Sequence, residues 1–74
     1  MAETTTMQAH ELAELWRRAS RRFGKRWGPF GLLDRINDVV SDQLGTSPRK
    51  LASDDLRSVR LDVIDARALQ RLAA

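Results

Sequence analysis

Between Leu12 and Trp27 the apolar residues recur at three- and four-residue steps, and this spacing constrains the chain more than any other feature. On a wheel turning about 100° per residue, Leu12, Leu15, Trp16, Ala19, Phe23 and Trp27 share one side. Arg17, Arg18, Arg21, Arg22 and Lys25 share the other. This is the pattern of an amphipathic helix with one core-facing stripe and one solvent-facing stripe. Such a helix demands a second apolar surface elsewhere in the chain. The sequence also places every aromatic residue close by, as Trp16, Phe23, Trp27 and Phe30.

The second surface is easy to find. Leu33, Ile36, Val40 and Leu44 repeat with helical spacing, widened by Leu32 and Val39, and predict a helix over residues 31–44. Gly45 is its natural stop, because glycine enters the left-handed cap conformation without strain. Asp34, Asp38 and Asp42 form an acidic stripe on its outer face.

The N-terminus reads as a flexible segment over residues 1–5, followed by the first helix over residues 6–23. Thr5 and Gln8 have the spacing of a capping box. Gly24 would end that helix, and Gly24, Gly28, Pro29 and Gly31 mark a turn before the second. Trp27 and Phe30 flank its Gly-Pro step and are expected to fold over the helix ends. Ser47-Pro48 predicts a short helical turn over residues 48–52, with Arg49 and Lys50 outward and Leu51 inward.

Residues 54–73 carry two competing patterns. Val59, Leu61 and Val63 alternate with Ser58, Arg60 and Asp62, as in a strand. Leu61, Ile64, Ala68 and Leu72 instead make one helical face, and Leu56, Val59, Val63 and Ala66 make another. A strand requires a partner, and no other segment reads as one, so a strand over residues 58–64 would have to pair between two molecules. The prediction is therefore a helix, broken near Ser58 at most, with Asp65 as a fallback cap. The spare face of Leu56, Val59, Val63 and Ala66 would then serve an oligomer or partner contact.

These elements predict an all-α fold: a small three- to four-helix bundle forming a single helical domain over residues 6–74. At 74 residues without cysteine, the chain has neither disulfides nor thiolate metal ligands. Small domains of this kind rely on tight helix packing or on oligomerisation, so a homodimer is a second expectation. No apolar run is long enough for a membrane span, and no signal-peptide pattern opens the chain. A cytoplasmic protein is expected.

Charge indicates the class of function. The formal net charge is +3. Through residue 28, six cations (Arg17, Arg18, Arg21, Arg22, Lys25, Arg26) face three acids (Glu3, Glu11, Glu14), whereas the remainder balances. No phosphate loop, nucleophile motif or metal set is present, so neither a catalytic residue, a cofactor, a metal nor a small-molecule substrate is expected. The site residues expected are Arg17, Arg18, Arg21, Arg22, Lys25, Arg26 and Trp27, contacting nucleic-acid phosphates with little sequence preference. The alternative is an adaptor, inhibitor or subunit docking on an acidic protein or an apolar surface. Either reading treats the arginine stripe as dispensable for folding.

Overall fold

Three threonines in succession and an alternating Val-Arg-Leu segment each favour extended backbone, but neither can stand alone as a strand. Together they form a ladder. The computed structural model describes residues 3–23 and 31–74. Within them the order is β1 (Thr4–Gln8), α1 (Ala9–Phe23), α2 (Leu32–Leu44), a 3-10 turn (Pro48–Lys50), β2 (Ser58–Asp62) and α3 (Val63–Ala73). β1 and β2 pair antiparallel, with Thr4 opposite Asp62 and Gln8 opposite Ser58.

The architecture is thus α+β, three helices with a two-stranded sheet, and the all-α bundle is overturned. The missing partner for the alternating segment was Thr4–Gln8. Thr4 and Thr5 are ladder residues, not part of a flexible terminus, and Thr5 and Gln8 make no capping box. The last helix begins at Val63, with Asp62 before it, so the continuous helix over residues 54–73 is also corrected. The α2 reading holds to within a residue. Gly31 and Gly45 bound it, both left-handed at φ 67° and 74°, and the Gly45 N–H donates to the Ser41 carbonyl at 2.9 Å. Gly24, Trp27 and Phe30 lie outside the described residues.

The core follows from two periodicities meeting. Period-two burial brings Val59 and Leu61 inward from β2, against half-buried Met7 and Thr5 of β1. Helical periodicity brings in Leu12, Ala13, Trp16 and Ala19 from α1, Leu32, Leu33, Ile36 and Val40 from α2, and Ala66 and Leu69 from α3. Trp16 is the largest of the fully buried side chains. Its indole N–H would be costly to bury unpaired, and it donates to the Leu33 carbonyl at 2.9 Å. One side chain therefore fixes α1 against the start of α2. Trp16→Ala should lower stability by about 3–5 kcal/mol, read as the loss of unfolding free energy in urea. A change below about 1 kcal/mol would remove Trp16 from the core.

The loop entering β2 is fastened to the β1–α1 junction. Ala9 N–H donates to the Arg57 carbonyl (2.7 Å) and His10 N–H to the Asp55 carbonyl (3.0 Å). Asp55 in turn accepts from the Arg57 backbone N–H at 3.0 Å and from the Arg57 guanidinium at 2.8 Å. The Arg57 side chain, then its backbone N–H, hold the Asp55 carboxyl below the usual carboxylate range. A depressed folded value means that the pair stabilises the fold above the unfolded carboxyl pKa of about 3.9. That contribution disappears as pH falls through the folded value. The wild-type melting temperature should therefore drop on acidification below about pH 4, and Asp55→Asn should flatten that drop. An unchanged pH profile in the variant would show that Asp55 is not the titrating group.

Candidate nucleic-acid interface

α1 buries one face and turns its arginines outward, but the four arginines have different surroundings. Arg17 is half-buried. Its guanidinium donates to the carbonyls of Leu51 (3.1 Å), Pro48 (3.5 Å) and Arg49 (3.5 Å). The Pro48 carbonyl also accepts from the Leu51 N–H at 3.4 Å, whereas those of Arg49 and Leu51 lie past the last internal bond of the short 3-10 turn, so Arg17 pins that turn to α1. Arg22 does similar work at the other end. It donates to the Leu72 carbonyl (3.4 Å) and to that of Ala74, closing the C-terminal end of α3. Arg18 pairs with Glu14 one turn earlier at 3.0 Å, with both side chains largely exposed, an ion pair of small energetic weight. Arg21 is exposed and has no hydrogen bond or ion pair among the described residues.

The pinned turn changes the shape of the basic surface. It carries Arg49 across to α1, where the guanidinium carbon sits 5.4 Å from the Trp16 ring centroid. Stacking of a guanidinium on an indole is favourable and leaves its N–H edges free for a ligand. Trp16, Arg17, Ser20, Arg21 and Arg49 together line a cleft of about 200 Å³. Three guanidinium groups and a hydroxyl line it, and no carboxylate does. Lys50 is exposed beside Arg49. Near Arg22, Arg67 and Arg71 line a second concavity with Gln70 and Ala74 at the end of α3.

Of the expected site residues, Arg17, Arg18, Arg21 and Arg22 therefore lie along one helix, and Arg17 and Arg22 also hold backbone elements. The expectation that the whole stripe is dispensable for folding is revised accordingly. Lys25, Arg26 and Trp27 lie outside the described residues. Sequence reasoning missed Arg49. It read that residue as outward-pointing, and no periodicity links the turn to α1. The expected partner face does not form a single surface. Val59 and Ala66 are buried in the core, Val63 is half-buried, and Leu56 is exposed. Val59 is claimed by the sheet and Ala66 by the inner face of α3, because the continuous helix that would have aligned all four does not exist. The exposed large side chain on α3 is Ile64 instead.

No family model, curated protein or solved structure matches the chain. Among the described residues, no helix is long and apolar enough to cross a membrane.

The two kinds of arginine should separate in a stability measurement. Arg17→Met keeps the aliphatic stem but removes the donors to the turn, and should lower stability by about 1–3 kcal/mol. Arg21→Gln should stay within about 0.5 kcal/mol of wild type. Equal effects in guanidinium unfolding would contradict the role assigned to Arg17.

Proposed function

We propose that the outer face of α1, extended by Arg49 and Lys50, binds the phosphate backbone of nucleic acid, and that the protein is a non-enzymatic nucleic-acid-associated regulator. The observation that carries this reading is the cleft where Arg21 and Arg49, from two separate elements, converge beside Ser20 with no lining carboxylate. Guanidinium groups offer paired donors that match two oxygens of one phosphate. Arg49 is held in position by the Trp16 ring, and Arg17 fixes the turn that carries it. Less side-chain freedom is therefore lost on binding than for an unsupported arginine. The face carries mostly guanidinium and ammonium groups. It lacks the short amide side chains that read adenine edges, so the recognition expected is of backbone rather than of base sequence.

Fluorescence anisotropy with labelled duplex and single-stranded DNA and RNA, repeated over a salt series, tests the reading. Binding should weaken steeply with salt. The Arg21→Gln/Arg49→Gln double variant should keep its fold and lose about two phosphate contacts, reducing the log–log salt slope by about 1.8. Absence of binding at low salt would reject nucleic acid and leave an acidic protein surface as the ligand for the same cleft. A double variant that binds like wild type would place the contacts elsewhere.

A further inference from the structure

The two edges of the sheet are treated differently. In an antiparallel ladder, residues alternate between directing their backbone groups at the partner strand and away from it. Ala9 N–H donates to Arg57 O, and Val63 N–H donates to Glu3 O at 2.9 Å, one contact at each end of the ladder. With the observed pairing, Thr5 and Met7 also face β2. Thr4, Thr6 and Gln8 must then face outward. On β2 the same alternation turns Arg60 outward, and there the edge is closed from within. Arg60 N–H donates to Gln43 Oε1 (2.9 Å), and Gln43 Nε2 donates to Arg60 O (2.6 Å). The α2 amide thus imitates a neighbouring strand.

Among the described residues, nothing comparable closes β1. The backbone groups of Thr4 and Thr6 make no hydrogen bond to any described residue outside the sheet. Free edges in stable proteins are commonly guarded by charge, proline or a bulge. The segment Thr-Thr-Thr-Met-Gln contains no charge and no proline, and pairs without interruption along its length. Its core-facing side chains, Thr5 and Met7, are only half-buried, although their partners Leu61 and Val59 are buried. Among the described residues the sheet therefore ends at β1, and a two-stranded ribbon is marginal by itself.

We propose that β1 pairs antiparallel with β1 of a second copy of this chain, about a two-fold axis at Thr6, giving a continuous four-stranded sheet. Open backbone donors and acceptors select a strand as the occupant. The side chains select a second copy. With Thr6 on the axis, Thr6 faces its own equivalent and Thr4 faces Gln8 in both directions, so no like charges oppose. Glu3 of each copy falls opposite Ala9 of the other, at the N-terminal end of α1, where the helix dipole favours negative charge although the same turn already carries Glu11. That complementarity occurs twice because the interface is isologous. This proposal does not depend on the nucleic-acid reading, since the arginine cleft lies on α1 and the turn.

The chain lacks cysteine, so single cysteines report geometry without interference. Thr6→Cys would bring two Cα atoms to about 5.5 Å across the axis, within disulfide reach. Gln8→Cys would lie about 14 Å from its own equivalent, beyond that reach. Each variant is checked for native circular dichroism and incubated with oxidised glutathione as the oxidant. Thr6→Cys should then accumulate intermolecular disulfide dimers on a non-reducing gel, and Gln8→Cys should remain monomeric on that gel. An equimolar mixture of Thr4→Cys and Gln8→Cys should yield the crossed dimer. Light scattering of the wild-type protein should give twice the chain mass, and Thr6→Pro, which removes an outward N–H, should give the single mass. Equal cross-linking by Thr6→Cys and Gln8→Cys, or a monomeric wild type at every concentration, would overturn the proposal. The cysteine pairs decide the question even if Thr6→Pro fails to fold.

Discussion

The pairing of β1 with β2 is the constraint on which the other contacts depend. It joins segments from opposite ends of the chain, with α1, α2 and the turn enclosed between them. Closing so long a loop is entropically unfavourable, and a short ladder cannot offset that alone. The core supplies the difference. Val59 and Leu61 lie over the same apolar cluster that receives Trp16 and Leu33, so ladder and helix packing reinforce each other. The fastening of Ala9 and His10 to the loop before β2 extends the same junction.

How much of this was legible follows from which forces act locally. The faces of α1 and the limits of α2 were readable, because helical periodicity and left-handed glycine caps are properties of short segments. The alternation in Ser58–Asp62 was visible as well, but its meaning rested on a partner. Thr4–Gln8 hid that partner. Thr5 and Gln8 have the spacing of a helix cap, and three threonines carry no apolar alternation to announce a strand. Tertiary pairing decided between two local readings of similar merit. Once β2 is a strand, the Leu56, Val59, Val63 and Ala66 set cannot be a helical face, so the misread architecture and the misread partner surface have a common origin.

The arginines illustrate a different limit. Their position on the outer face of α1 followed from the wheel, but their division of labour did not. Arg17 and Arg22 spend hydrogen bonds on carbonyls that lie 31 and 50 residues away in sequence, which no periodicity encodes. The charge of Arg17 is not cancelled by its contacts, since the main-chain carbonyls it meets are dipoles rather than counter-ions. The field of the stripe therefore persists along with the scaffold role. Arg49 joins it because the turn is drawn in by Arg17 and by the burial of Pro48 and Leu51.

Both strands run into helices without a connecting loop: Gln8 is followed by the first residue of α1, and Asp62 by the first residue of α3. This gears helix orientation to strand pairing. A slip of one residue would turn β1 over and, with no loop to absorb the rotation, would swing the Trp16 face of α1 away from the core. Polar, threonine-rich strands specify their alignment weakly through their own side chains. Here the alignment is set from outside the sheet, by the buried faces of the helices that the strands carry. A segment that looks permissive in isolation therefore has one tolerated setting in the whole molecule.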